Sequence, residues 1–329
     1  MENLAKLSQD LYFNKDLKFN EVSGNDAMRK LIFEALDVPV GTKGRALKTA
    51  WDMRKAKVFE IIDVAIDAIV PVIVKNQFDN LAEVRNVALG DVQRFTVKNR
   101  DLFKVGTVAA GTKDLRRQRL VNEVYTVETD KVGLKTYVEF DEFLSGTIDW
   151  THYVNTVAES LAVYIGEKIY DAFATSYDGV RATLKATGTF ELETLTKLAR
   201  HVRAASGGQN VAVYGTVSAL GKIADGLSLS DNMKDKLNET GYLTTVRGMD
   251  FYAFPDAYKA GTEEFIVDEK ALLVTPNGEK IVDVVLEGET YTEEKDNESN
   301  IAMQKDFLTM KQLGVQVKQA SVYGFYKLA

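Results

Sequence analysis

"VGTVAAGTKDLRR", Val105–Arg117, is the stretch on which the fold turns. Gly106, Gly111, Thr112 and Lys113 come close to the phosphate-cradling pattern G-x-x-x-x-G-K-[ST], which would commit the chain to a nucleotide-binding α/β domain. Two details break the match. Thr112 and Lys113 stand in reversed order, so the hydroxyl meant for magnesium and the ammonium meant for phosphate exchange places. Asp114 then sets a carboxylate beside the anion, and "DLRRQRL" offers no apolar face for the helix that should follow. The stretch reads as a flexible basic loop in which glycine allows tight turning. A nucleotide-dependent enzyme using the Gly106–Lys113 loop stays as the rival reading, marked by ATP binding that Lys113→Ala abolishes.

Outward from the loop, the period falls to two between about Asp91 and Asp141. Val132, Leu134, Thr136, Val138 and Phe140 alternate with Gly133, Lys135, Tyr137, Glu139 and Asp141, the mark of a strand with one buried face. Val121, Glu123, Tyr125 and Val127 are expected as its antiparallel partner, across a turn at Asp130-Lys131. Arg85, Arg94, Lys98, Arg100, Lys104, Lys113, Arg116, Arg117 and Arg119 outweigh Asp91, Asp101 and Asp114 in this region. Gly106–Asp114 has little to bury, so the tip should project. As a nucleic-acid site the segment is poor, since Phe95 and Phe103 are the only nearby aromatics before Tyr125. The acidic run Asp256–Glu298 offers complementary charge, and a basic arm with an acidic region on one chain suits contact between copies.

Helices flank these strands. Val58, Phe59, Ile62, Ala65, Ile66 and Ile69 form a stripe opposite Lys55, Lys57, Glu60, Asp63 and Asp67, ending at Pro71. A longer stripe from Trp150 to Tyr177, with Asp149 as N-cap, predicts a spine helix of roughly 42 Å at ~1.5 Å per residue. Beyond Gly179, Phe190–Ala205 and Val217–Ile223 read as helices and Val211–Tyr214 as a buried strand. Residues 265–267, 271–274 and 281–286 are β-rich, with Asn277-Gly278 as a hairpin turn. The first 50 residues, interrupted by Gly24, Gly41 and Gly44, read as an arm, in which Leu31, Ile32, Phe33 and Leu36 seat a short helix.

Composition narrows the function. An apolar share of 45% in 329 residues is enough for a large core, and a net charge of -7 speaks against coating nucleic acid with the whole surface. Cysteine is absent, so disulfides and thiolate metal sites are excluded. His152 and His201 sit in helical periods with no serine–acid pair around them, and the acidic groups lack calcium-loop spacing. No catalytic residue, metal or cofactor is expected. The start "MENLAKLSQDLYFNKD" has no signal-peptide pattern, and Ile61–Val74 is too short and too charged to span a bilayer.

The order of parts (arm, helix, projecting β-loop, spine helix, α/β region, returning strands) resembles the major capsid protein of tailed bacteriophages, the Hong Kong 97 fold. The resemblance runs from about residue 25 onward and rests most on "VAVYGTVSALGKIADG", "DNMKDKLNETGYLTTVRGMDFYAFPD" and "GVQVKQASVYGFYKL". It implies an α+β fold with an N-terminal arm (1–50), a peripheral-domain helix and connection (51–90) and an extended loop (91–141). A peripheral domain with the spine helix (142–204), an apical domain (205–300) and returning peripheral strands (301–329) complete it. It implies a shell of pentamers and hexamers around double-stranded DNA, with portal and scaffolding proteins and possible cement proteins as partners. The location implied is the virion, after assembly in the bacterial cytoplasm. Lys104, Lys113, Arg116, Arg117 and Arg119 then become contacts of the loop with the next copy. An encapsulin-like compartment is the alternative on the same fold. A start of 50 residues is too short for the long cleaved scaffolding segment of some members. The lysine–asparagine cross-link of others has no identifiable partner here.

Overall fold

Apolar stripes at helical spacing and runs of β-branched residues sort this chain into two helix–sheet units. The computed structural model describes residues 2–13, 24–97, 103–107, 117–119, 122–145, 148–225, 227–267, 270–295, 304–318 and 322–328. In chain order the elements are α1 (Glu2–Tyr12), α2 (Gly24–Ala35), α3 (Gly44–Phe78), β1 (Ala82–Val87), β2 (Arg94–Val97), β3 (Glu123–Thr126), β4 (Asp130–Val138), α4 (Phe140–Ser145) and α5 (Trp150–Ser176). They continue as β5 (Lys185–Gly188), α6 (Leu192–Ala205), β6 (Val211–Gly215), α7 (Val217–Asp225), α8 (Asp231–Thr240), β7 (Thr245–Val246) and β8 (Met249–Ala253). The last are β9 (Ala271–Pro276), β10 (Val282–Lys295), β11 (Lys305–Val317) and β12 (Gly324–Leu328).

The strands form three sheets. One has the order β1-β10-β11-β4, a second β5-β12-β9-β6-β8-β7, and a third pairs β2 with β3 alone. Helices α3 and α5 share one apolar core with the four-stranded sheet. Its aromatic centre is Trp51, stacked on Trp150 at 5.7 Å and edge-on to Phe59 and Phe143. The spine helix expected at Trp150–Tyr177 is α5, and Asp149 caps it by accepting the His152 amide at 3.0 Å. In the six-stranded sheet every residue of β6 is buried, because both faces are covered. Helix α2 and the residue after it place Met28, Ile32, Phe33 and Leu36 in the main core, and Gln9 of α1 donates to the Ala68 carbonyl of α3 at 2.8 Å.

Several local expectations need correction. The helix predicted to stop at Pro71 starts at Gly44 and continues to Phe78. A proline inside a helix costs about 3 kcal/mol. Beyond it Ile73, Val74 and Phe78 are buried, each contributing about 1.5–3 kcal/mol, so burial wins. Lys55, Asp63 and Asp67, read as the solvent side of that helix, turn instead toward β10 and β11. Asp130-Lys131 is no turn: both residues open β4, which pairs with β11, while β3 pairs with β2. The connection cannot fold back because it crosses β11. A Cβ on Gly314 would lie 2.2 Å from the Glu128 carbonyl oxygen, so only glycine lets the chain pass.

Asn277-Gly278 does turn, with Gly278 at φ 83, but its flanking strands go to different sheets. Side-chain and backbone bonds from Asn277 to Asp250 (2.7 Å) and to the Asn210 carbonyl (2.7 Å) hold that corner to the six-stranded side. Of the strand expected at 265–267, only a bridge between Tyr258 and Phe265 forms.

Candidate intersubunit contact site

The strands that flank the basic stretch, β2 and β3, are joined by two aromatic rings. Phe95 of β2 and Tyr125 of β3 are register partners, and their rings stack at 5.7 Å. The Arg85 guanidinium lies 4.5 Å from the Phe95 centroid and is bonded to Glu83 at 2.6 and 2.9 Å. The Tyr125 hydroxyl donates to Asp283 of β10. Lys318 bridges the same group, 3.2 Å from Asp283 and 3.3 Å from Glu83. One residue set thus ties β1, β3, β10 and the end of β11 together beneath the loop.

The charges at this root are unevenly held. Burial pushes the Asp283 carboxyl up, and the bonds from Tyr125 and Lys318 offset this only in part. Burial and the bond to Asp283 together push the Tyr125 hydroxyl well up. Burial alone would raise Glu83, but Arg85 and Lys318 outweigh it and hold that carboxyl below the usual range. A second tie lies beside the first. Glu287 accepts the Gly90 amide at 2.8 Å and the Thr129 hydroxyl, so both limbs of the loop leave from the same strand.

Farther out, the limbs are joined by one side chain. The Lys104 amide donates to Oε1 of Gln118 at 2.8 Å, and Nε2 of Gln118 donates to the Lys104 carbonyl at 2.9 Å. This amide clamp brings Lys104 beside Arg117 and Arg119, all three exposed. Phe103 and Val105 flank Lys104 and are 51% and 98% exposed. Lys113 and Arg116 lie outside the described residues. Residues 103–107 and 117–119 adopt no regular structure. The strand and helix that a phosphate cradle needs are therefore absent from the described residues around it.

The other candidates disperse. His152 and His201 are exposed on α5 and α6. Among the described residues no group of His, Cys, Asp and Glu is placed to hold a metal ion, and no helix is long and apolar enough to cross a membrane. The acidic run is not one surface. Asp283 and Glu287 anchor the loop root, and Glu294 is sealed by Trp51, Lys55 and Lys305. Glu263 and Glu264 remain exposed. Sequence reasoning missed Gln118, Tyr125, Asp283 and Gly314. The pairing of Phe95 with Tyr125 was the readable signal, two aromatics set symmetrically about the basic loop.

Residues 24–325 match the profile of a family described as "SPbeta prophage-derived putative capsid protein YonB". Comparison with curated proteins gives no match. Among solved structures, the capsid of a native GTA particle is similar at TM-score 0.54 and 14% identity, covering 78% of this chain and 90% of that one. The bacteriophage PhiM1 mature capsid gives TM-score 0.51 at 12% identity, covering 77% and 86%. The structure from Mycobacterium phage Adephagia gives 0.51 at 9% identity, covering 78% and 90%. At these identities the likeness establishes the fold, which is the Hong Kong 97 capsid fold that the sequence implies.

Proposed function

This chain belongs to the YonB family of prophage-derived capsid proteins, and we propose that it is the shell-forming major subunit, building pentamers and hexamers around double-stranded DNA. The observation that carries the proposal is the loop itself. Its root is fixed by Phe95, Tyr125 and Asp283, while Phe103, Lys104, Val105, Arg117 and Arg119 stand exposed beyond the Gln118 clamp. A side chain as apolar as Val105, left 98% exposed on a rooted arm, fits a surface completed by another copy. Lys113 and Arg116 are proposed as part of the same contact. The domain division 1–50, 51–90, 91–141, 142–204, 205–300 and 301–329 is retained as a proposal, with β5 and β12 lending strands to the sheet of the apical block and β10, within 205–300, pairing in the four-stranded sheet.

On this reading the subunit works mechanically rather than as an enzyme. Portal and scaffolding proteins, and cement proteins where present, are its partners. It assembles in the host cytoplasm and ends in the virion. The family match favours a phage shell over an encapsulin-like compartment. The test is negative-stain microscopy with light scattering on the purified full chain, with and without a co-expressed scaffold. Rings or closed shells are expected. A strict monomer under every condition overturns the reading, and shells filled with a protein cargo transfer it to the compartment class. Charge reversal at Lys104, Arg117 and Arg119 together should leave a folded subunit that assembles poorly. Normal shells from that variant remove the loop's role.

A further inference from the structure

Helix α3 meets the outer half of β10 through charge instead of apolar packing. β1 ends its pairing with β10 at Glu287, and the register of β10 on β11 shifts between Glu287 and Tyr291. Beyond that irregularity, two β10 amides are taken up by carboxylates of the helix. The Thr290 amide and hydroxyl donate to Asp67 at 2.9 and 2.5 Å, and the Thr292 amide donates to Asp63 at 3.2 Å. Asp63 and Asp67 are one helical turn apart, so both fall on the face that meets the sheet.

Among the described residues one cation serves the pair. Lys311 of β11, with 4% of its side chain exposed, is bonded to Asp67. Asp63 has an oxygen, Oδ1, that is buried and has no hydrogen-bond partner among the described residues. The charged groups acting on Asp63 are Asp67 from its own helix and Lys311 from β11, while β10 presents Thr292. Glu294, farther along β10, is neutralised separately by Lys55 and Lys305. The cluster thus holds two carboxylates for one ammonium, and the surplus charge falls on the carboxylate with an unbonded oxygen.

We propose that Asp63, Asp67 and Lys311 form a proton-operated latch between α3 and the bulged half of β10, tight when Asp63 carries a proton and looser when it is ionised. Burial pushes the Asp63 carboxyl up to about 6, a rise that its bonds with Thr292 do not cancel. A carboxyl raised in the folded state stabilises at low pH, and that contribution is lost as pH rises through the folded value. Glu294 behaves in the opposite sense. Burial would raise it, but Lys305, Trp51 and Lys55 hold it low, so its contribution is lost only as pH falls. The seam therefore grips best in mildly acidic solution and relaxes toward neutrality. This inference concerns the subunit alone, so its failure leaves the capsid reading standing, and the reverse.

The test follows unfolding of the full chain and of Asp63→Asn, which mimics the protonated acid, from about pH 5 to about pH 7.5. The natural chain should lose roughly tenfold in its folding equilibrium relative to Asp63→Asn across that window. Parallel profiles for the two proteins overturn the latch. Carboxyl-carbon NMR of the natural chain gives an independent reading. An aspartate titrating near 6 that disappears in Asp63→Asn supports the proposal, and ordinary titration of every aspartate overturns it.

Discussion

The two large sheets solve the problem of holding helices in opposite ways. Around the six-stranded sheet the buried set is apolar, from Leu195 and Val202 on α6 through Val211 and Val213 to Phe251, Leu272 and Val274. The buried charged side chains among the described residues, Asp283, Glu294, Asp306 and Lys311, all lie on β10 and β11 of the four-stranded sheet. Apolar burial is non-directional and scales with area. Buried charge contributes little net stability, yet it penalises any arrangement that leaves a partner unpaired. The dry sheet is held by how much it buries. The charged sheet is held by where its groups must meet, which suits the part that roots the loop.

Four tests probe that contrast, in falling order of effect. Phe251→Ala, in the dry sheet, should cost about 3–5 kcal/mol because the vacated volume cannot collapse, read by denaturant unfolding. A loss below about 1 kcal/mol would mean that this core is looser than its burial implies. Lys311→Met should cost about 3 kcal/mol by stranding Asp67. Adding Asp67→Asn should recover part of that loss, whereas purely apolar packing would make the two changes additive. Tyr125→Phe should cost about 1–2 kcal/mol by leaving Asp283 with one bond fewer. Hydrogen exchange should rise at β2 and β3 before the rest of the chain, and uniform exchange would detach the loop root from this tie. Lys197→Gln removes a fully exposed ion pair with Glu193 on α6. Its unfolding midpoint should not move, and a measurable drop would show that surface charge matters more on the dry side than argued.

What could be read in the sequence divides along the same line. The spine helix α5 was legible to within a residue because its stripe and its Asp149 cap are local signals. The buried strand β6 was legible from a run of apolar residues. The latch was not. Asp63 and Asp67 look like the wet side of α3, and their partners Thr292, Thr290 and Lys311 lie more than 220 residues away in sequence. No periodicity carries that information, since it arises only when the sheet closes over the helix. The Asn277-Gly278 turn shows a subtler limit. Turn chemistry fixed the local geometry correctly but says nothing about whether the two strands it joins will pair with each other. At the candidate site charge and glycine mark the basic stretch in the sequence, while the Gln118 clamp and the crossing at Gly314 depend on which limb lies over which strand.

The strand order of the six-stranded sheet has a consequence for how the subunit is made. β5 joins its sheet only through β12, which stands between β5 and β9. A ribosome that has delivered β5 through β9 has therefore produced a sheet with an open edge and a stranded neighbour. Both wait until residues 324–328 have emerged. Closure of long-range contacts of this kind is slow relative to local helix formation. Newly made chains thus pass through a period when the spine helix can form but the sheet cannot be finished. A chain broken off before that point keeps β5 apart from its sheet and leaves the edge of β9 unpaired.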